Sequence, residues 1–240
     1  MAIKAVLFDL DGTLLPMDQE IFVKAYFKGL VTHLVPLGYD KDRLTKAIWG
    51  GTDAMIANTG EHPNEKLFWD FFCGIFGEHA RCDEPKFEEF YKTGFQEVRH
   101  VCGYREDSAK LVKALKEKGV YVILATNPIF PAIATESRIR WAGMEPTDFE
   151  MYTTYENINY CKPNLEYYKD ILTRLDLKPE ECIMVGNDVD DDMVARDLGI
   201  QVFLLTDDLI NYSQTDIGQF PNGNFEELTK FIEEKITAKD

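Results

Sequence analysis

The stretch that decides the fold of this chain is Phe8-Asp9-Leu10-Asp11-Gly12-Thr13-Leu14 (residues 8–14). It follows directly after the apolar run Ile3-Lys4-Ala5-Val6-Leu7. A short aliphatic run of this kind predicts a buried strand, which ends where the chain turns at Gly12. Alternation along an extended chain places Asp9 and Asp11 on the same side. Two ionised carboxylates there repel each other, so a divalent cation or a shared proton is expected. Taken alone, the pair is also compatible with an acidic turn that closes a strand.

Composition narrows the class of protein. The chain has 240 residues, of which 45% are apolar, and a formal net charge of −16. That length suits one large domain, or a core with a smaller inserted domain. The charge disfavours nucleic acid and anionic membranes as partners. No stretch approaches the roughly 18 apolar residues that a transmembrane helix needs. An anionic substrate then requires a metal and fixed cations or amide donors inside the site.

The five cysteines predict the compartment. They are scattered without a Cys-x-x-Cys pair, a usage that suits a reducing cytoplasm, and nothing near the start resembles a signal peptide. His79 and Cys82 form the only pair with ligand-like spacing, which does not support a zinc site. We therefore expect a cytoplasmic protein, either a monomer or a homodimer.

Hydrophobic periodicity divides the chain into three parts. Nearly everything from about residue 18 to 103 shows helical spacing, and the remainder alternates between helix and strand. The segments 207–208 and 222–224 are predicted as surface turns. The later strands are predicted at 120–125, 150–154, 182–185 and 200–205, and the later helices at 108–118, 131–141, 165–175, before Gly199, and at 225–236.

Such alternation predicts an α/β fold, in which a Rossmann-like parallel sheet carries helices on both faces. The helical block after the first strand is too long for a crossover, so it should form an inserted all-helical cap domain. The predicted division is a core domain, residues 1–15 and 104–240, and a cap domain, residues 16–103.

Polar residues follow several of the predicted strands. In parallel sheets, ligands bind beyond the carboxyl ends of the strands, so these side chains should converge. Acids, a hydroxyl, an amide and an ammonium group are the groups that hold a phosphate and magnesium. The residues are Asp9 and Asp11 after the first strand, Thr126 and Asn127, Lys162, and Gly186-Asn187-Asp188.

This order of residues resembles the haloacid dehalogenase-like hydrolase superfamily along the whole chain. The helical insertion looks like the helical-cap subclass of that superfamily. The four segments that resemble its motifs are Asp9-Leu10-Asp11-Gly12-Thr13, Leu124-Ala125-Thr126-Asn127, Lys162-Pro163 and Gly186-Asn187-Asp188-Val189-Asp190-Asp191-Asp192.

The resemblance implies a role for each matching residue. Asp9 would attack phosphorus to form an aspartyl-phosphate, and Asp11 would protonate the leaving alkoxide and then deprotonate water. Thr126 and the amide of Asn127 would hold the phosphoryl oxygens. Lys162 would neutralise charge on the nucleophile and the phosphate. Mg²⁺ would bridge Asp9 to the transferring group, with the Asp11 carbonyl as a further ligand.

The fourth motif departs from the family, which usually has Gly-Asp where this chain has Gly186-Asn187. Either the neutral Asn187 binds the metal or Asp188 takes over as ligand, and we favour Asp188. Asp192 is expected to accept from metal-bound water or from Lys162. Asp190 and Asp191 are interpreted as a solvated first turn of a helix.

Specificity is expected to come from the segment Ile48-Trp49-Gly50-Gly51-Thr52-Asp53, interpreted as a cap loop that approaches the core. Trp49, Gly50, Gly51 and Thr52 are its predicted substrate contacts. Arg43 and Lys46 are more consistent with a solvated surface. The run Phe68, Trp69, Phe71, Phe72 and Phe76 is interpreted as cap core or a dimer face.

Within the superfamily that the chain resembles, an Asp at position 11 implies phosphate-ester hydrolysis or a phosphomutase, and the dehalogenase and phosphonatase branches generally lack it. We expect a magnesium-dependent phosphatase that hydrolyses a small phosphorylated metabolite. A phosphomutase is the first alternative, although Lys24 is out of phase with the basic residue that mutases similar to the β-phosphoglucomutases carry. A non-catalytic binding or regulatory protein that keeps the fold is the second.

Overall fold

The structure, a computed structural model, describes residues 2–237. Its strands are β1 (Ala5–Phe8), β2 (Tyr121–Leu124), β3 (Met151–Tyr152), β4 (Cys182–Gly186), β5 (Gln201–Leu205) and β6 (Asn222–Gly223). Its α-helices are α1 (Gln19–Leu34), α2 (Lys41–Ile56), α3 (Asn64–Phe76), α4 (Glu84–Lys92), α5 (Glu106–Glu117), α6 (Ala132–Trp141), α7 (Leu165–Arg174) and α8 (Phe225–Thr237). Short 3-10 helices cover Val35–Leu37, Glu78–Asp83, Gly94–Val101, Pro146–Asp148, Pro179–Glu181, Met193–Leu198 and Ile217–Gln219.

The strands form one parallel sheet with the order β3-β2-β1-β4-β5-β6. The central strand β1 places Val6 opposite Val122 on one side and Ile183 on the other. The predicted α/β fold with a Rossmann-like parallel sheet is therefore confirmed. All the strands point the same way, so their carboxyl ends meet at one edge, which we call the carboxyl edge.

Three predicted elements differ from the structure. Asn222-Gly223 is the edge strand β6 instead of a turn, and Asn222 pairs with Leu204. A two-residue strand has no apolar run to reveal it. The predicted helix before Gly199 is a 3-10 helix, and the predicted strand 150–154 shortens to Met151–Tyr152.

Both faces of the sheet are covered, as the alternation along β1 requires. Val6 and Phe8 belong to one buried cluster together with residues of α5, α6 and α8. Ala5 and Leu7 point the other way and belong to a second cluster with α7. All four side chains are fully buried, so Asp9 follows a strand that has no contact with water on either face.

The segment from α1 to the 3-10 helix Gly94–Val101 is helical throughout, and we call residues 16–103 the cap. Its two connections to the remainder of the chain lie side by side: Met17 forms a β-bridge with Cys102, and the Gly103 N–H donates to the Pro16 carbonyl at 2.7 Å. The proposed domain boundaries fall at these connections. Within the cap, Phe68, Trp69 and Phe72 are buried, which places this part of the aromatic run in the cap core.

The predicted loop at Gly50-Gly51 is wrong, because both glycines lie inside helix α2. A Cβ at Gly51 would lie 2.6 Å from Cδ2 of Phe68, and one at Gly50 would lie 2.2 Å from the Phe71 ring. The absence of a side chain therefore lets α3 pack closely against α2. In the described part of the chain, no helix is both long enough and apolar enough to span a bilayer.

Candidate active site

A cavity of about 160 Å³ lies between the carboxyl edge and the cap. We call the two groups of residues that line it the core side and the cap side. The core side has nine polar residues, Asp9, Asp11, Thr126, Asn127, Lys162, Asn187, Asp188, Asp191 and Asp192, and five others, Ile129, Phe130, Pro131, Tyr155 and Ile210. The cap side consists of Met17, Gln19, Phe22, Val23, Tyr26, Phe27, Ile48, Trp49, Thr52, Phe68, Trp69, Phe87 and Tyr91. The structure thus brings together every site residue predicted for the core.

Lys162 is the centre of the charge arrangement on the core side. Its ammonium group donates to Asp9 Oδ1 at 2.9 Å and to Asp192 Oδ1 at 2.6 Å. All three side chains are buried. Burial alone would lower the pKa of Lys162, but Asp192 and Asp9 raise it well above its ordinary value. Lys162 therefore stays charged and leaves Oδ2 of Asp9 free of hydrogen bonds from the described residues.

Asp192 holds this lysine and is itself fixed in place. Its second oxygen, Oδ2, accepts the Asp188 backbone N–H at 3.0 Å. Burial raises the pKa of Asp192, and the contact with Lys162 opposes that rise. With both oxygens occupied, Asp192 matches the predicted acceptor for Lys162, and its use as a direct metal ligand is disfavoured.

Asp11 has a partner that the sequence did not reveal. Oδ2 of Asp11 accepts a hydrogen bond from Nη1 of Arg138, whose side chain is only 1% exposed. Arg138 comes from α6 and lies over the Phe130 ring, 4.4 Å from its centroid. Its Nη2 also donates to Thr135 Oγ1 at 3.3 Å. Burial raises the pKa of Asp11 to about 6, and the Arg138 charge limits that rise.

The sequence of α6 contains an indication that Arg138 is buried. An arginine at this position of α6 shares the inward face with Ala134 and Trp141, four residues before and three after, and both are buried. A charged residue on an apolar helix stripe requires a buried partner. The partner, Asp11, is 127 residues away in the chain, so only the fold identifies it.

The loop after β2 presents two donors to the cavity. The Thr126 carbonyl accepts the hydroxyls of Thr153 at 2.6 Å and Tyr167 at 3.0 Å, which fixes the backbone there. Neither the Thr126 hydroxyl nor the Asn127 backbone N–H donates to another atom of residues 2–237. Both are therefore available to an anionic oxygen. The Asn127 side chain instead donates to Asp191 Oδ2 at 3.2 Å.

Asn187 is tied down by its neighbours. Its Oδ1 accepts the Thr13 hydroxyl at 3.0 Å, and its Nδ2 donates to the Asp208 carbonyl at 2.7 Å. The amide lies directly against Gly12, whose φ is +81° and whose missing Cβ would fall 2.3 Å from Nδ2. Glycine is needed at position 12 for both reasons. Asn187 thus has a structural role that joins β4 to the turn after β1.

Asp188 and Asp191 also face the cavity. Oδ1 of Asp188 accepts the backbone N–H groups of Asp190 at 2.8 Å and Asp191 at 3.0 Å. This turn leaves Asp190 exposed, as predicted, but directs Asp191 inward, so its interpretation as a solvated residue is wrong. Burial raises the pKa of Asp191 to about 6 and shifts that of Asp188 in the same direction.

The donor set fits a hard divalent cation. Five carboxylates line the core side, where Lys162 is the single cation among the described lining residues, with Arg138 behind Asp11. Magnesium prefers oxygen ligands and uses only one or two carboxylates with further oxygens. Within residues 2–237, no three His, Cys, Asp or Glu side chains converge as a metal cluster. Four of the carboxylates keep one oxygen unused by the described residues and could hold the ion, namely Asp9, Asp11, Asp188 and Asp191.

The predicted cap contacts divide into two pairs. Trp49 and Thr52 line the cavity, and Trp49 stacks on Phe27 with ring centroids 4.9 Å apart. Gly50 and Gly51 do not line it, because they face α3. As substrate contacts, the two glycines are therefore not supported. Trp49 and Thr52 remain proposed ones.

Comparison with known proteins identifies the family. Pyrophosphatase PpaX of Bacillus cereus is 25% identical over 83% of this chain and 81% of its own. The HAD phosphatase of Thermococcus onnurineus shares the fold with a TM-score of 0.61, 21% identity, and coverage of 96% of this chain and 98% of its own. The HAD-hydrolase YfnB of Bacillus subtilis, solved with magnesium bound, has a TM-score of 0.57, 16% identity, and coverage of 97% and 100%. The family model described as haloacid dehalogenase-like hydrolase matches residues 3–199. The chain therefore belongs to the haloacid dehalogenase-like hydrolase family.

Proposed function

We propose that this protein is a magnesium-dependent phosphatase that hydrolyses a small phosphorylated metabolite through a phosphorylated Asp9. The observation that carries the proposal is the buried Lys162 between Asp9 and Asp192 at the carboxyl edge, next to the free donors of Thr126 and Asn127. A bound magnesium ion would neutralise charge between the nucleophile and the phosphoryl group. The magnesium in YfnB supports this choice of metal.

In the first step, a carboxylate oxygen of Asp9 attacks phosphorus, and the bond from phosphorus to the ester oxygen breaks. The departing alkoxide takes the proton of the Asp11 carboxyl group. Burial of Asp11, which raises its pKa to about 6, favours the protonated form that this step needs. Thr126 and Asn127 donate to the phosphoryl oxygens, and Lys162 offsets their charge.

In the second step, the ionised Asp11 takes a proton from a water molecule, whose oxygen attacks phosphorus. The bond between phosphorus and the Asp9 oxygen breaks, which releases phosphate and restores the Asp9 carboxylate. Because Asp11 changes between acid and base, its orientation matters in both steps. Arg138 fixes that orientation from behind the cavity.

The geometry favours a phosphatase over the alternatives. The α1 residues that line the cavity, Gln19, Phe22, Val23 and Tyr26, include no basic side chain, and Lys24 instead pairs with Glu20 at 3.3 Å. This disfavours a phosphomutase that needs a cap cation. A non-catalytic role is disfavoured by the complete set of reactive groups. A cytoplasmic location and a monomeric or homodimeric state remain predictions.

Turnover of p-nitrophenyl phosphate tests the proposal. We expect activity that disappears on chelation with EDTA, returns with Mg²⁺ and is absent from Asp9→Asn. Thermal unfolding of the variant checks that it is folded. Equal turnover by the chelated enzyme, or by Asp9→Asn, would contradict the proposal.

The choice of metal ligand has a separate test. Magnesium titration by calorimetry should show a large loss of affinity for Asp188→Ala and a small one for Asn187→Ala, because the Asn187 amide is already bonded to Thr13 and Asp208. If only Asn187→Ala loses the metal, the assignment of Asp188 is wrong.

A further inference from the structure

The cap side of the cavity is apolar, whereas most phosphorylated metabolites carry hydroxyl or charged groups that need polar partners. Nearly all its residues are aromatic or aliphatic, and core residues Ile129, Phe130, Pro131 and Tyr155 extend the apolar surface. The hydroxyls of Tyr26 and Tyr91 are bonded to each other at 3.0 Å. The Thr52 hydroxyl donates to the Ile48 carbonyl at 3.0 Å. Gln19 and the Trp69 indole N–H, which has no hydrogen-bond partner among the described residues, are the remaining polar groups of this side. A polyhydroxylated group would therefore leave most of its hydroxyls without partners there, which is unfavourable when they are buried.

No cation of the cap reaches the cavity among the described residues. Arg43 is turned away, since its Nη2 donates to the Ile75 carbonyl at 2.6 Å. Arg81 pairs with Glu65 at 2.6 Å and does not line the cavity. Lys162, the single lining cation, already contacts two carboxylates. A second anionic group on the substrate would therefore lose its water without gaining a partner.

The size of the cavity limits the organic group. An apolar protein cavity of roughly 150 Å³ holds benzene. The cavity described here, at about 160 Å³, holds the phosphoryl group as well, so the organic group has less than that volume. The aromatic pair of Trp49 and Phe27 lies along it, and flat rings stack on such surfaces. The volume thus limits the organic group to one ring at most, and the lining favours an apolar one.

We propose that the preferred substrate is a phosphate monoester whose organic group is uncharged, apolar and no larger than one aromatic ring. This inference rests on the proposed phosphatase activity and deepens it. It sets the chain apart from a hydrolase of inorganic pyrophosphate, the substrate in the name of its Bacillus relatives, because pyrophosphate offers only charged oxygens to the cap side.

Benzyl phosphate and 4-carboxybenzyl phosphate make a matched test, because the remote carboxylate scarcely changes the leaving alcohol. With the magnesium-loaded enzyme, we expect kcat/KM to be at least about 100-fold higher for benzyl phosphate. Glycerol 1-phosphate and pyrophosphate should also be poor substrates. Equal or faster hydrolysis of any of these three would overturn the inference.

A cation placed on the cap side should reverse the selectivity. Thr52→Lys is expected to raise the relative kcat/KM for 4-carboxybenzyl phosphate by about 10-fold or more. Thr45→Lys is the matched control, since Thr45 lies on the same helix, donates to Lys41 O at 2.9 Å and does not line the cavity. An equal change in both variants would contradict the inference.

Binding separates this inference from the proposed activity. Calorimetry with benzylphosphonate and 4-carboxybenzylphosphonate, which are not hydrolysed, reports the cap preference even if no ester is turned over. Tighter binding of benzylphosphonate supports the inference, and equal or weaker binding overturns it. Absence of turnover for every ester overturns the proposed phosphatase activity alone.

Discussion

On the core side of the cavity, most charged groups are held by a partner from a distant part of the chain, whereas the cap side has aromatic rings and scarcely any charge. Lys162 contacts Asp9 and Asp192, and Arg138 contacts Asp11. Such contacts fix reacting atoms in place. The aromatic rings of the cap side instead distinguish between substrates by their shape and polarity. Under the proposed function, the chemical step and the choice of substrate reside in separate parts of this molecule, and substitutions should affect them separately.

Removal of the nucleophile should have the largest effect. Asp9→Asn is expected to lower kcat by at least about 10³-fold for benzyl phosphate and p-nitrophenyl phosphate alike, because both steps pass through this carboxylate. Initial rates with excess Mg²⁺ measure the loss. A cap-side variant such as Thr52→Lys should instead change the ratio between substrates. A change of that ratio in Asp9→Asn would weaken the separation of the two sides.

The buried ion pairs predict a large effect on stability. Lys162→Met leaves Asp192 and Asp9 buried without their cation, which costs about 3–5 kcal/mol of the free energy of unfolding. A second change, Asp192→Asn, should restore about half of that loss but none of the activity, since the amide oxygen still accepts the Asp188 N–H. Urea unfolding in EDTA measures both variants.

The control for these pairs is Lys4→Met. Lys4 pairs with Glu181 at 2.7 Å, but its side chain is 58% exposed, so the urea midpoint should change little. If Lys162→Met unfolded at the same urea concentration as the unmodified protein, the ion pairs would not stabilise the core side as described.

Arg138 tests whether the core side extends behind the cavity. Arg138→Met should lower kcat for benzyl phosphate by about 10- to 100-fold, because Asp11 loses the contact that orients it. The burst of p-nitrophenol release, which reports the first step alone, should fall much less, since this leaving group hardly needs a proton, whereas hydrolysis of phosphorylated Asp9 should slow equally for both esters. Arg138→Lys should restore part of the activity.

The control for Arg138 is Arg140→Met, on the same helix. Arg140 is exposed and pairs with Glu136 at 3.3 Å and Glu145 at 3.2 Å, so both rates should stay unchanged. Equal losses of the first-step rate for the two esters in Arg138→Met would indicate a structural role for Arg138 in place of a positioning one.

The two sides also differ in how far the sequence predicted them. Core residues such as Asp9 and Thr126 follow apolar strands, and parallel strands must end at one edge, so local patterns placed them together. The Arg138 contact with Asp11 joins residues 127 positions apart, and no local pattern encodes it. In the cap, by contrast, a local pattern led to a wrong prediction. Two adjacent glycines suggested a loop, but packing against Phe68 and Phe71 keeps them in a helix despite their low propensity.

Those glycines give the last and smallest prediction. Gly51→Ala adds a Cβ 2.6 Å from Phe68 Cδ2, so α2 and α3 must separate or the ring must move. Overpacking of this kind costs about 1–3 kcal/mol. Gly74→Ala, in α3, is the matched control: no atom lies within 4 Å of the added Cβ, so alanine should stabilise the helix by about 0.5–1 kcal/mol. Urea midpoints that move in opposite directions would show that α2 and α3 are in close contact at Gly51. This contact, and not a flexible loop, would then hold Phe68 in the cavity wall. Midpoints that both rise would mean that α2 and α3 are not packed as closely as the structure has them.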